Sequence, residues 1–156
     1  MNVCTDHVDI SDSMLIHAQP DLVSKHWDSL APYIAQSVPD IANKEGGMAR
    51  ILQAILLERL QIWVYDKSDK MVFVGSTALF VDPVTFDKKL VLYTLSAIHD
   101  VSKDTLVDSY ETIYKYAKQQ GANAIWAFTK VPSIVKFAEA AGADVSTTLI
   151  EFPVNV

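Results

Sequence analysis

KKLVLYTLSAI (Lys88–Ile98), HDV, SKDTLVDSYETIYKYAKQQ (Ser102–Gln120), Gly121 and NAIWAF (Asn123–Phe128) read in succession as strand, short connection, helix, glycine and strand. The hydrophobic period changes from two to about 3.6 and back, which is the mark of a parallel crossover. Such a unit puts its first connection at the carboxyl end of the leading strand, where many α/β proteins bind a ligand.

Upstream lie three strands in a row. Gln61–Asp66 (QIWVYD) joins Met71–Val81 (MVFVGSTALFV) through the polar turn Lys67–Lys70. DPVTFD then leads into Lys88–Ile98. Gly75 interrupts a β-branched and aromatic strand, which implies a bulge or a close backbone approach. Before the strands, Met14–Ala18 reads as a first strand. A helix opened by Pro20 carries Val23, Trp27, Leu30 and Ile34 at helical spacing. Pro32 is expected to break or kink it. After the loop Pro39–Gly47, a second helix aligns Met48, Ile51, Leu52, Ile55 and Leu56.

Downstream, the helix Ser102–Gln120 is expected to bury Leu106, Tyr110, Ile113, Tyr114 and Ala117, with Gly121 as its left-handed terminator. Asn123–Phe128 reads as a buried strand. Pro132 opens a helix with Ile134, Phe137, Ala138 and Ala141 inward and Gly142 at its end, and Asp144–Phe152 reads as a last strand. The expected architecture is a single-domain α/β fold over residues 13–156, preceded by an arm at residues 1–12. Its mixed sheet runs from an antiparallel meander into one parallel crossover, with helices on both faces.

Half of the 156 residues are apolar and 21% are charged, with a net charge of −6. That balance suits a soluble globular domain and argues against nucleic acid or an anionic membrane as partner. The richest apolar run, ILQAILL, is far short of a membrane span of roughly 20 residues. MNVCTDHVDISDS shows no basic region followed by an apolar one, so no secretory signal is expected. The single cysteine, Cys4, excludes an internal disulfide and fits a reducing, cytoplasmic compartment.

This element order resembles the GNAT fold of acyl-CoA-dependent N-acyltransferases. Locally, VPSIVKFAEAAGA (Val131–Ala143) resembles the family's helix-plus-glycine segment through Phe137, Glu139 and Gly142. Ala138 falls where the family often places the tyrosine that protonates the departing thiolate, and Ala143 replaces a closing phenylalanine. The resemblance also implies a Gln/Arg-x-x-Gly-x-Gly/Ala turn cradling the CoA pyrophosphate. The corresponding residues are Ile98-His99-Asp100-Val101-Ser102-Lys103-Asp104-Thr105, without a glycine. Asp100 and Asp104 are expected to fill the anion site at the helix start, with Ser102 as cap, so no cofactor is expected. If CoA does bind, the resemblance places Ser96, Ile98, Val101, Ser102 and Lys103 against it. A narrower likeness, to GNAT-like head and internal virion proteins of tailed phages, rests on Asn123, Trp126, Phe137, Gly142 and Ala143.

Asp100, Asp104, Asp108 and Glu111 follow at spacings of four, four and three and so share a helix face. As a solvated face it needs no ligand; as an interface it would receive a basic protein partner. His99 ends the parallel strand, where a base would be useful, but reads as a solvated loop residue. His7, His17 and His26 have no metal-ligand spacing to one another or to Cys4, and no metal is expected. Trp63, Trp126, Tyr65 and Phe128 read as core. There is no Gly-x-Ser-x-Gly elbow, P-loop or dinucleotide fingerprint, and no catalytic residue is assigned. Together these readings favour a non-catalytic binding or assembly protein, concretely a phage structural or internal virion protein in virion or host cytoplasm. The alternative is an N-acetyltransferase that uses acetyl-CoA on a small amine or a protein amine.

Overall fold

A computed structural model describes residues 15–129, 131–147 and 149–154. The expected arm at residues 1–12, with Cys4 and His7, and Met14 of the expected first strand lie outside the described residues. The elements are β1 (Leu15–Ala18), α1 (Pro20–Lys25), α2 (Trp27–Ser37), α3 (Pro39–Ala42), α4 (Gly47–Leu56), β2 (Gln61–Lys67), β3 (Lys70–Val81), β4 (Lys88–Ala97), α5 (Lys103–Gln119), β5 (Ala122–Ala127) and α6 (Pro132–Ala140). One compact unit ends at Trp126, and a second begins at Ala127.

In the first unit the strands lie in the order β1-β2-β3-β4-β5. The first four pair antiparallel and the β4–β5 pair is parallel. Successive strand residues face opposite sides, so the sheet separates two cores, both fed by β1, β2 and β3. Ile62 and Val74 pack with Val23, Leu30, Ile34, Ile51 and Ile55 of α1, α2 and α4. Trp63, Tyr65, Phe73 and Leu90 pack on the other face with Ile113 and Ala117 of α5. Lys67 and Lys70 pair across a turn in which Ser68 and Asp69 both take positive φ, 51° and 59°, as the twist of a two-residue hairpin demands. In the next turn Asp82 Oδ1 accepts from the backbone N–H of Val84 (2.8 Å) and Thr85 (2.9 Å). Donation from the backbone N–H groups of Thr85 and Val84 holds its carboxyl below the usual range.

Five features differ from the sequence reading. The first helical segment breaks at His26 (φ −107°, ψ 22°), and α2 continues through Pro32. The buried Leu30 and Ile34 on either side of Pro32 hold the helix across the missing N–H. The Pro39–Gly47 loop contains the one-turn helix α3. The buried stripe of α5 is Thr105, Ile113 and Ala117, while Tyr110 and Tyr114 stand outside it. Positions 105, 113 and 117 are whole multiples of four apart, and 110 and 114 fall on the neighbouring row. β5 is not a buried strand: Trp126 is 41% exposed, with its ring stacked 5.6 Å from Phe80, and Phe128 beyond it is exposed.

In the second unit, Pro132 opens α6 and Gly142 (φ 87°) follows its end, as expected. The fifth difference lies here: the described residues of Asp144–Phe152 form no strand. Asp144 Oδ1 instead accepts from the N–H of Ser146 at 2.9 Å, a side-chain turn that competes with extended pairing.

Candidate functional site

The site is assembled around β4. Ser76 of β3 pairs with Thr94 and Thr77 pairs with Leu92, so Tyr93 is an extra residue with no partner on β3. A bulge of this kind leaves its residue outside the ladder and turns it to a new direction. Two polar anchors fix the irregularity. On one side the Ser76 and Thr94 hydroxyls meet at 2.6 Å. On the other, Trp63 Nε1 donates to Thr77 Oγ1 (2.9 Å) and Thr77 Oγ1 donates to Gln61 Oε1 (3.0 Å), all three residues being buried. Gly75 lies beside them, where an added Cβ would stand 3.3 Å from the Thr94 carbonyl oxygen; this is the close approach expected there.

The Tyr93 side chain lines an open cleft of about 450 Å³ between β3–β4 and α4. Ile41, Ile51, Leu60 and Ala78 supply apolar wall, and Lys44, Arg50 and Arg59 supply three cations. A volume of that size suits a small molecule. The cleft is not legible in the sequence, since its three cations come from a loop, a helix and the turn after that helix; Gly75 marks the neighbourhood of the bulge but not Tyr93.

Past the carboxyl end of β4, the N–H groups of Ile98 and His99 both donate to the Val72 carbonyl, at 2.8 and 3.2 Å. Ser102 caps α5, its Oγ accepting from the N–H of Thr105 at 3.2 Å. Among the described residues, the intervening N–H groups of Asp100, Val101, Ser102, Lys103 and Asp104 meet no protein acceptor. The expectation that the protein's own acids fill this place is corrected. Among the described residues neither Asp100 nor Asp104 accepts a hydrogen bond, and Ser102 takes only one of the helix-start amides. Glycine is dispensable here because the chain leaves these amides free with ordinary residues. A run of free amides entering a helix start suits a phosphate group.

The other sequence-selected residues separate. Ser96 is buried, its Oγ 3.5 Å from Gln36 Oε1 on α2. Ile98 packs against the core on the α1–α4 side and Val101 against the core on the α5 side. Lys103 and His99 are exposed. Of the four acids, Asp100, Asp104 and Glu111 are exposed, whereas Asp108 accepts from the Tyr65 hydroxyl at 3.3 Å and so turns toward the sheet. His17 lies against Trp63 (ring centroids 4.8 Å) and Tyr116 (5.5 Å), where burial lowers its pKa.

No protein-family model matches the chain, and no curated protein matches it in sequence. Solved structures do match its fold. A probable acetyltransferase is similar with a TM-score of 0.68 at 13% identity, over 91% of this chain and 99% of that one. A predicted acetyltransferase with acetyl-CoA from Clostridium acetobutylicum gives 0.63 at 12%, over 89% and 94%. An aminoglycoside N-acetyltransferase in complex with CoA gives 0.63 at 10%, over 91% and 93%. The chain has the GNAT fold. The expectation of no cofactor is corrected by the same finding, since two of these structures hold acetyl-CoA or CoA. The comparisons favour the acetyltransferase alternative over the assembly protein.

Proposed function

We infer that the chain is an N-acetyltransferase using acetyl-CoA and an amine acceptor. The observation that supports this is that one strand both borders a cleft and runs into a stretch of free amides. The bulge at Tyr93 opens on the cleft, and the same strand ends at the free amides of Asp100–Asp104. Those amides fit the pyrophosphate of CoA, and the bulged backbone of β4 fits the acyl carbonyl as donor and positioner. When bound, acetyl-CoA supplies the acyl thioester. The acceptor nitrogen's lone pair forms the new C–N bond, the C–S bond breaks with its electron pair on sulfur, and the surplus ammonium proton neutralises the thiolate.

Calorimetry with acetyl-CoA and CoA tests the reading. Binding in the low micromolar range is expected; no heat and no thermal shift at millimolar ligand would refute it. The two acids beside the amides weaken that binding. An exposed carboxylate about 4 Å from a phosphate costs roughly 1 kcal/mol, so Asp100→Asn and Asp104→Asn should each tighten CoA binding roughly fivefold at low salt. The gain should shrink as salt rises, and an unchanged Kd at low salt would remove the two acids from the site.

A further inference from the structure

The cleft beside Tyr93 carries a charge pattern at odds with the rest of the chain. Its lining has Lys44, Arg50 and Arg59 and no acid, in a protein of net charge −6. Among the described residues none of the three side-chain cations has a hydrogen bond or ion pair to a protein group. Two acids adjoin these cations in sequence, Glu45 beside Lys44 and Glu58 beside Arg59, and neither lines the cleft; Glu58 exerts its charge on His17 and Tyr116, which pack with the α5-side core. Three exposed cations without a side-chain partner beside an apolar wall give the cleft a charge that an anion would complement. Guanidinium groups match planar carboxylates and phosphates through paired N–H donors, which makes Arg50 and Arg59 the specific contacts and Lys44 the flexible one.

We propose that the acceptor is a small amine that also carries carboxylate or phosphate groups, held by Lys44, Arg50 and Arg59 with its nitrogen at the Tyr93 bulge. This rests on the acetyltransferase reading for its chemistry but not for its binding. Polycationic amines are rejected by the same three charges, which separates this cleft from that of an enzyme acting on aminoglycosides. The cleft's apolar wall, from Ile41, Ile51 and Leu60, accommodates a short carbon skeleton between amine and anion.

The test is acetyl transfer to a probe panel, followed by release of free thiol, with binding measured separately by calorimetry. L-Glutamate serves as the carboxylate probe, glucosamine 6-phosphate as the phosphate probe, and sisomicin and spermidine as polycations. At least one anionic amine should be acetylated, with kcat/KM at least a hundredfold above both polycations. Which anionic probe prevails identifies the source of the charge. Arg50→Gln and Arg59→Gln should each raise its KM about tenfold, and Lys44→Gln about threefold, with the Kd for acetyl-CoA unchanged. All three side chains are exposed, so the variants should melt with the wild type. Preference for the polycations, or an unchanged KM in the Arg50→Gln/Arg59→Gln variant, would overturn the proposal. So would an equal loss of acetyl-CoA affinity in that variant, because the cations would then hold the CoA phosphates. If acetyl-CoA binds and neither anionic amine binds at millimolar concentration, the cleft assignment fails while the acetyltransferase reading stands. Arginine-dependent binding of an anionic amine without acetyl-CoA binding would support the cleft assignment and refute the acetyltransferase reading.

Discussion

Gly47→Ala is expected to lower the midpoint of thermal unfolding by roughly 10 °C. A Cβ built on Gly47 would stand 1.8 Å from the carbonyl oxygen of Ile41 and 2.8 Å from its carbonyl carbon. These are backbone atoms of α3, so no rotamer change relieves the clash. The α3–α4 connection, closed by the Gly47 N–H on the Lys44 carbonyl at 2.9 Å, must open instead. Overpacking of this kind costs about 3 kcal/mol, and each kcal/mol moves the midpoint of a chain this size by about 3 °C. The neighbouring glycine is the control. Gly46 has φ 69° and open space around its Cβ position, so Gly46→Ala meets only the left-handed backbone penalty of about 1 kcal/mol. The larger fall should therefore belong to the residue with ordinary φ. Ile41 and Lys44 both line the cleft, so Gly47→Ala should also weaken acceptor binding. A Gly47→Ala midpoint within 2 °C of wild type would show that the helix junction yields freely.

Thr77→Val should cost about as much by a different route. The two side chains are similar in shape and Thr77 is 1% exposed, so packing is preserved and only hydrogen bonding is lost. The change strands the Trp63 indole N–H and the Gln61 carbonyl, both buried. Each unpaired buried group costs about 1–3 kcal/mol, which together lowers the midpoint by roughly 10 °C. Thr77→Ser keeps the hydroxyl and should recover most of the loss. Because Thr77 faces Leu92 at the bulge, the valine variant should also shift the Tyr93 backbone and reduce kcat more than KM. In a double-mutant cycle Trp63→Phe should be less costly in the valine background, since the indole N–H is already orphaned there. Additive losses would disprove the coupling.

The parallel crossover is legible because a single stretch changes period twice, and the strands β2–β4 because their turns carry Asp, Pro and polar residues. The Trp63 and Tyr65 core positions follow from alternation within β2. The broken helix misleads because Pro32 is the visible breaker, whereas His26, the actual one, carries no such mark. Tyr110 and Tyr114 mislead in a similar way: large rings at helical spacing look like a core stripe, yet the smaller Thr105 and Ala117 face the sheet. Within the candidate site, Asp100, Ser102 and Lys103 are found at the right loop but with the wrong consequence. Residue types reveal the two acids; only backbone geometry reveals that the amides beside them are free. Tyr93 is beyond sequence reasoning altogether, because a bulge is a property of pairing between two strands.

The strand order has a kinetic corollary. Every antiparallel pair from β1 to β4 joins consecutive strands, and the β3–β4 pair closes over a loop already organised by Asp82. The β2–β3 and β3–β4 turns are short and carry little closure entropy, so β2–β4 can zip up from the Asp82 turn outward, with β1 joining across the helices that separate it from β2. β5 must wait until α5 has formed and swung its chain back across the sheet. Nascent chains therefore pass through a stage in which β4 is an open edge, which makes the strand that later presents Tyr93 also the one most prone to pairing with a second molecule during folding.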